Sequence, residues 1–338
     1  MRPVLVLVER DGLNGAVRPQ TYELLTIARR LGAPVAVVRH PVDARGFAAL
    51  GRYGAVRVCV VQAPDAASGT VAAAVEALAE LTWQMSAAAV LLPGGRVGRE
   101  VAARVAVRLD AGIITGAVEV RPGPDGPVTV QEVCEGAYRV ESVVRGDTAV
   151  IAVERGAAVA EAADDGAHAP AVEHMFVTLP EAADRVRVIS RTPRLRPNVA
   201  GAAVVVAGGR GVGSADGFAL IEKVADALGG AVGGTHAAAD LGWCPYDALI
   251  GQTGAIVHPR LYLACGISGS VHHRVGMRHA ETIVAIDKDP TAPIFRIADV
   301  GVVGDLHQVL PELLAELERR RAARQEPEPR AVPLPEPT

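Results

Sequence analysis

The strongest constraint on this chain is an alternation that runs through its first 112 residues. Short apolar runs of strand composition are followed in turn by segments with helical spacing. VLVLVE precedes 21-TYELLTIARRLG-32, APVAVV precedes 43-DARGFAALGRYG-54, VRVCVVQ precedes 70-TVAAAVEALAELTW-83, and AAAVLLP precedes 98-GREVAARVAVRLDAG-112. Strands joined through helices require crossover connections, so the pattern predicts a largely parallel sheet covered by helices on both faces.

The texture then changes to VTVQEVCE, YRVESVV and TAVIAVE, separated by glycine and charged turns, which read as antiparallel strands closing a first domain. From Glu154 to Pro197 periodicity is weak except for VRVISR, and the span reads as loop and interdomain crossing. A second strand-and-helix set begins near Gly201. The expected organisation is α/β throughout, with domains at 1–190 and 191–319, the second Rossmann-like, followed by a disordered Pro/Glu/Arg-rich tail at 320–338.

Composition narrows the function classes. At 338 residues there is room for two cores, and with half the residues hydrophobic but 3% aromatic these are built from Ala, Val and Leu. A net charge of −4, without basic blocks interleaved with aromatics, gives no footprint for nucleic acid. The first apolar run ends at Glu9, too short for a membrane span or signal core, so a soluble cytoplasmic protein is expected. Cys59, Cys134, Cys244 and Cys265 are scattered, with no CxxC pair and no histidine at ligand spacing, and no metal site is expected.

The stretch 204-VVVAGGRGVGSADGFALIEKVADAL-228 carries the first chemical signal. Four apolar residues feed a glycine turn, and Phe218, Ile221, Val224, Ala225 and Leu228 then recur at helical spacing, with Ser214 or Asp216 as the cap. Unpaired N–H groups and the positive end of the helix dipole converge there, which suits an anion. GGRGVG is neither the GxGxxG fingerprint nor a P-loop, and a tight strand-to-helix connection accounts for it equally well. Arg210, within the turn, adds a fork for phosphate oxygens.

Four loops of the second domain have unusual polar or glycine content: 208-GGRGVGS-214, 233-GGTHAAAD-240, 250-IGQTG-254 and 266-GISGSVHH-273. Loops at the carboxyl ends of parallel strands are where open α/β sheets bind ligands. LYLACGI reads as a buried strand, and Ser268-Gly269-Ser270 after it offers hydroxyls and amides at a helix start. The bland reading is that these are turns and caps, with His272 and His273 at the surface. No Ser-His-Asp series and no paired carboxylates stand out, and the residues by themselves point to dinucleotide binding.

GGRG, VGGTHAAAD, GQTG, VHPRLYLACGISG, AIDKDPTAPIF and ADVGVVGDLHQVLPEL together resemble, in order and spacing, the alpha subunit of electron transfer flavoprotein. The first domain resembles it more loosely, through TYELLTIARRLGAPVAVV and LGRYGAVRV. The resemblance implies one FAD in the second domain and a beta subunit that buries an AMP or, in the electron-bifurcating branch, a second flavin. It places Arg210, Thr235 and Ser268 along the FAD, with Gly269, Ser270, Val271 and His272 continuing the Ser268 turn. It places Ile250, Gly251, Gln252 and Thr253 at the flavin ring, the Thr253 hydroxyl on its redox-active nitrogen. His273 would meet the pyrimidine carbonyl, and Asp287, Asp305 and Leu306 the adenosine side.

Three departures from that family's pattern stand out. Thr235-His236 replaces Ser-Arg, so a permanent cation becomes a titratable one. Asp287 replaces Asn. Leu249 and Ala255 replace the Gln and Lys that flank the GQTG loop. The resemblance implies an electron carrier without substrate chemistry or catalytic residues of its own. It would take electrons from flavoprotein dehydrogenases, such as the acyl-CoA dehydrogenases of fatty acid beta-oxidation, and pass them to a membrane quinone oxidoreductase and the respiratory chain. In that family the first domain binds no nucleotide, so 94-GGRVGRE-100 is read as a strand-to-helix turn. A paralogue dedicated to one dehydrogenase, a pyridine-nucleotide oxidoreductase and an interaction protein without cofactor are the competing readings.

Overall fold

The computed structural model describes residues 1–325 apart from 11–14, 40–41, 63–69, 135, 164–168, 179–188 and 191–195. The chain divides into two compact units, Met1–Arg194 and Leu195–Thr338.

In the first unit the predicted alternation forms as β1 (Pro3–Val8), α1 (Pro19–Leu31), β2 (Ala33–Val38), α2 (Ala44–Arg52), β3 (Arg57–Gln62), α3 (Val71–Met85), β4 (Ala89–Pro93) and α4 (Arg96–Leu109). Five strands follow: β5 (Gly112–Arg121), β6 (Val128–Val133), β7 (Tyr138–Val143), β8 (Ala149–Val153) and β9 (Ala171–Phe176). They form one sheet in the order β7-β6-β5-β8-β4-β1-β2-β3-β9. Side chains of one strand divide between two cores, as the period of two requires: Val4, Val6 and Val8 of β1 enter one, Leu5 and Leu7 the other. Side-chain oxygens start two of the helices, Asp43 accepting from the Gly46 N–H at 2.8 Å and Thr70 from the Ala73 N–H at 3.4 Å.

Two expectations need correction here. TAVIAVE is not antiparallel: β8 inserts between β4 and β5, parallel to both, with every residue buried. An apolar run without alternation is the mark of a strand covered on both faces, and only β5, β6 and β7 pair antiparallel. The span read as loop from Glu154 contains β9, which adds to the sheet parallel to β3 and is mostly exposed, so its sequence lacks an apolar pattern. VRVISR lies outside the described residues except for Ile189 and Ser190, which are in neither helix nor strand.

The second unit is a five-stranded parallel sheet. Its elements are β10 (Val204–Gly208), α5 (Ala215–Leu228), β11 (Ala231–Gly234), α6 (His236–Asp240), β12 (Leu261–Cys265), α7 (Val271–Met277), β13 (Ile283–Asp287), β14 (Val300–Val303) and α8 (Leu306–Gln325). The strand order is β11-β10-β12-β13-β14. The chain thus steps from the first strand to one side and then back to the other, and the order reverses between β10 and β12. Ser214, not Asp216, caps α5, its Oγ accepting from the Gly217 N–H at 2.9 Å. Phe218, Ile221, Val224 and Ala225 of that helix are buried as the spacing predicts, and Leu228 packs partly buried against the same cluster.

Of the span 320–338 expected as a disordered tail, residues 320–325 are helical. Helix α8 continues to Gln325, because RRAARQ has good helix formers and Glu316 pairs with Arg320 one turn on at 2.6 Å. Residues 326–338 lie outside the described part. Among the described residues no helix is long and apolar enough to cross a membrane.

One buried hydrogen-bond series ties α7 to the sheet. His273 of α7 is 5% exposed; its Nδ1 lies 3.0 Å from the Ile250 carbonyl oxygen and its Nε2 2.9 Å from the hydroxyl of Tyr262, a fully buried residue of β12. A carbonyl only accepts, so Nδ1 carries the proton and Nε2 accepts from the tyrosine. Burial depresses the imidazole to a pKa of about 4, although the Ile250 carbonyl works in the opposite direction. The same burial raises the Tyr262 phenol well above its ordinary value. The unfolded chain takes up a proton on this histidine near pH 6.5 and the folded chain does not, so stability falls as pH drops from 6.5 towards about 4 and this contribution levels off below. The loss is about 3 kcal/mol at one histidine. Urea midpoints measured over this range should therefore decline less steeply for His273→Gln than for the unaltered chain. Equal slopes would contradict the assignment.

Candidate functional site

The loops at the carboxyl edge of the second sheet meet where its strand order reverses, between β10 and β12. The glycines there are explained first by each other. The N–H of Gly209 donates to the Cys265 carbonyl at 2.9 Å, and that of Gly211 to the Gly266 carbonyl at 2.9 Å. A Cβ on Gly209 would stand 2.3 Å from the Gly266 oxygen and one on Gly211 2.8 Å from the Gly266 Cα, while Gly266 itself adopts φ +61°. Only backbone fits between the two loops. Arg210, between two of these glycines, is exposed and has no ion-pair partner among the described residues.

A second wall comes from β11 and the loop after it. Thr235 caps α6, its Oγ1 accepting from the Ala238 N–H at 3.3 Å, and its own N–H donates to Gly208 at the end of β10. The segment 250–254 is held by main-chain bonds, Ile250 to the Gly234 carbonyl and Gln252 to that of His272. Gly251 adopts φ +145°, and a Cβ on Gly276 would lie 2.3 Å from the Gly251 nitrogen, so α7 packs directly on this loop. Gln252 and Thr253 are thereby fixed beside α6. His236 Nδ1 lies 3.4 Å from Thr253 Oγ1, and its Nε2 lies 3.5 Å from Asp240 Oδ1, which also accepts the Tyr246 hydroxyl at 2.6 Å. That carboxylate raises the Tyr246 phenol above its ordinary value.

The third wall is the turn after β12. Gly269 adopts φ +83° with its backbone against Ile294, and the Ile294 N–H donates to the Ser268 carbonyl at 3.0 Å. Ser268 and Ser270 are exposed, and the Ser270 hydroxyl makes no capping bond at the start of α7. His272 Nδ1 donates to Gln252 Oε1 at 2.6 Å, joining the second and third walls. Asp287 and Lys288 close the cleft at the end of β13, Asp287 Oδ1 accepting from the Asp289 N–H.

The resulting cleft has a volume of about 810 Å³. It brings together Arg210, Thr235, His236, Ile250, Gly251, Gln252, Thr253, Ser268, Gly269, Ser270, His272, His273 and Asp287. Val271, Asp305 and Leu306 are not among its lining. Val271 is 52% exposed. Asp305 uses a carboxylate oxygen on the His307 N–H at the start of α8, and Leu306 is buried in the core with Leu310. Both ring nitrogens of His273 are engaged inside the fold, so its side chain keeps no free donor for a ligand carbonyl.

Some of the cleft was not anticipated from sequence. Lys288 lines it, and its signal was its place beside Asp287 at the end of an apolar run. Ala237 and Ile267 line it too, with no distinguishing signal. Thr253, His236 and Asp240 form a hydroxyl–imidazole–carboxylate series where none was expected; only the four-residue spacing of His236 and Asp240 in THAAAD hinted at it.

These donors fit a dinucleotide. Arg210 and Lys288 bring positive charge, Ser268 and Ser270 bring free hydroxyls, and the volume lies in the upper part of the range for small-molecule sites. Four cysteines are free, and among the described residues no cluster of histidine, cysteine and carboxylates could hold a metal ion.

Comparison with known proteins agrees with the geometry. Residues 4–179 match the model of the electron transfer flavoprotein domain, and residues 198–278 match that of the electron transfer flavoprotein FAD-binding domain. The chain is 42% identical over 330 residues to the electron transfer flavoprotein subunit alpha of Mycobacterium leprae, covering 95% of this chain and 100% of that one. It is 32% identical over 317 residues to the subunit alpha of Bacillus subtilis, covering 93% and 97%. Against the mitochondrial subunit alpha of Arabidopsis thaliana it is 51% identical over 126 residues, covering 37% and 35%. With an FAD-binding domain built around the cleft and relatives matched along nearly their whole length, the chain belongs to the electron transfer flavoprotein alpha-subunit family.

Proposed function

We propose that this chain is the FAD-carrying alpha subunit of a heterodimeric electron transfer flavoprotein working in the cytoplasm, with one FAD in the cleft at the β10/β12 reversal. The observation that carries the reading is the convergence of Arg210, Ser268, Ser270 and Lys288 on the same cleft as the Gln252–Thr253 loop. The first group would hold the pyrophosphate of a bound FAD and the second would face its isoalloxazine.

FAD, when bound, would supply the redox chemistry of electron transfer between proteins. The chain's own residues bind and orient it. The Arg210 guanidinium and the Lys288 ammonium oppose phosphate charge, and the serine hydroxyls donate to phosphate oxygens. The Thr253 hydroxyl, set by the α7 packing described above, would donate to the ring of a bound FAD. His236 and Asp240 set that hydroxyl's surroundings. Fixed donors beside a cofactor that gains negative charge determine how readily an electron enters. No residue of this chain has to attack a substrate.

The beta subunit carries an AMP, or a second flavin if the protein bifurcates electrons, and contacts the first unit. The donors are flavoprotein dehydrogenases of the acyl-CoA dehydrogenase kind, and the acceptor is a membrane quinone oxidoreductase that feeds the respiratory chain. Co-expression with a beta-type subunit should give a yellow heterodimer with one FAD in the alpha chain and a bound AMP or second flavin in its partner. A flavin-free heterodimer that binds a pyridine nucleotide instead would overturn the reading.

Two substitutions in that heterodimer should separate affinity from potential. Ser268→Ala removes one phosphate-side hydrogen bond and should weaken FAD binding by about 1 kcal/mol, roughly fivefold, with the potential unchanged. Thr253→Ala should shift the potential while FAD content stays near that of the unaltered protein. Fluorescence titration and spectroelectrochemistry read the two properties, and equal effects of both variants on both would show that the loops are wrongly assigned.

A further inference from the structure

The Thr253–His236–Asp240 series connects the cleft to solvent. Thr253 lines the cleft, and its Oγ1 is 3.4 Å from His236 Nδ1. The other ring nitrogen of His236 is 3.5 Å from Asp240 Oδ1, on the next turn of α6. His236 is 61% exposed at its side chain and Asp240 51%, so the outer end of the series is open to water. Tyr246, from the segment after α6, donates its hydroxyl to the same Asp240 oxygen at 2.6 Å, and its ring stands edge-on to the imidazole with centroids 6.4 Å apart. Asp240 is thereby held with its carboxylate facing the imidazole Nε2. The remaining charged or titratable groups around the same cleft are Arg210, His272, His273, Asp287 and Lys288.

A carboxylate that orients an imidazole, which in turn faces a hydroxyl, is the arrangement that moves protons in hydrolytic sites. Separations of 3.4 and 3.5 Å are long for finished hydrogen bonds, and such contacts shorten when the ligand is in place. Among the described lining residues, His236 is the imidazole that faces the Thr253 hydroxyl and is also open to water. His272 is exposed too, but it bonds Gln252 through Nδ1 and does not reach Thr253, and His273 is buried with both nitrogens engaged.

We propose that His236 is the proton source of the cleft, delivering through Thr253 the proton that accompanies reduction of the bound redox group. This rests on the flavin reading above. Each electron pair comes from the donor flavoprotein, or from dithionite in the test, and is matched by one proton. As the Thr253 O–H bond breaks towards the acceptor in the cleft, the His236 Nδ1–H bond breaks and a new O–H bond forms on Thr253. The hydroxyl is regenerated. His236 is left neutral with its Nε2–H held towards Asp240, and it regains its proton from bulk water across its exposed face. One proton is consumed per electron pair and no residue is permanently altered.

The test uses the intact heterodimer with its partner subunit. Stopped-flow reduction by dithionite, in light and heavy water across the pH range in which imidazoles titrate, is followed for the unaltered protein, His236→Ala and Asp240→Asn. In the unaltered protein the phase completing two-electron reduction should slow as pH rises, because the protonated imidazole is the donor, and it should show a solvent isotope effect. General acid catalysis is worth about 10²–10⁴-fold, and water replaces part of it at an exposed site, so His236→Ala should slow this phase about tenfold or more. Imidazole added to the buffer should restore the rate of His236→Ala, and Asp240→Asn should show a smaller loss of the same kind. Unchanged rate and isotope effect in His236→Ala, or a loss that imidazole does not restore, overturns the proposal while flavin remains bound. An unaltered heterodimer without flavin would instead overturn the functional reading on which it rests.

Discussion

The second unit depends on backbone meeting backbone between the loops after β10 and β12. Gly209 and Gly211 lie against Gly266 so closely that a single Cβ at any of the three would collide with main chain. Strands β10 and β12 are neighbours in the sheet, and the chain leaves them towards opposite sides. The crevice between the two departing loops is the place where an open α/β sheet binds its ligand. By touching each other, the glycines fix the floor of that crevice and aim Arg210 and Ser268 from its two sides. A larger residue at Gly266 would push the floor apart before any ligand arrived. It would also have to adopt a positive φ that side chains disfavour.

A second layer of packing fixes the opposite wall. Gly276 of α7 meets Gly251, Gly254 meets the Leu249 carbonyl, and His273 reaches across α7 to hold both Ile250 and Tyr262. The loop carrying Gln252 and Thr253 is therefore supported by a helix and a strand rather than by its own turns. This is the physical reason for keeping a buried, neutral imidazole in the core. Its two nitrogens satisfy one acceptor and one donor that a smaller apolar residue would leave unpaired, at a cost of about 1–3 kcal/mol each.

Much of this was legible from the residues, and the unread parts have definite causes. The alternation of apolar runs and helical spacing specified α/β layers because a parallel crossover leaves both periodicities in the sequence, as in VLVLVE followed by TYELLTIARRLG. TAVIAVE carried the mark of a two-face-covered strand in its unbroken apolar run, but its neighbours in sequence, β6 and β7, are antiparallel and suggested the wrong partner. β9 was invisible because an exposed edge strand needs no apolar pattern. In the cleft, the glycine loops and the GISGS turn could be read because they carry unusual composition. Tyr262 holding His273 could not, because a buried polar pair between a strand and a helix leaves no spacing rule.

His236 shows how one position combines these layers. It sits at the first residue of α6 because Thr235 caps that helix, and Thr235 is placed by its N–H bond to the end of β10. The helix brings Asp240 round by one turn, and Tyr246 then locks the carboxylate. On the other side, the α7 packing that fixes Gly251 brings Thr253 within reach of the ring. A guanidinium at this position would be a planar fork of donors only, whereas the imidazole presents one ring nitrogen to the Thr253 hydroxyl and the other to the Asp240 carboxylate.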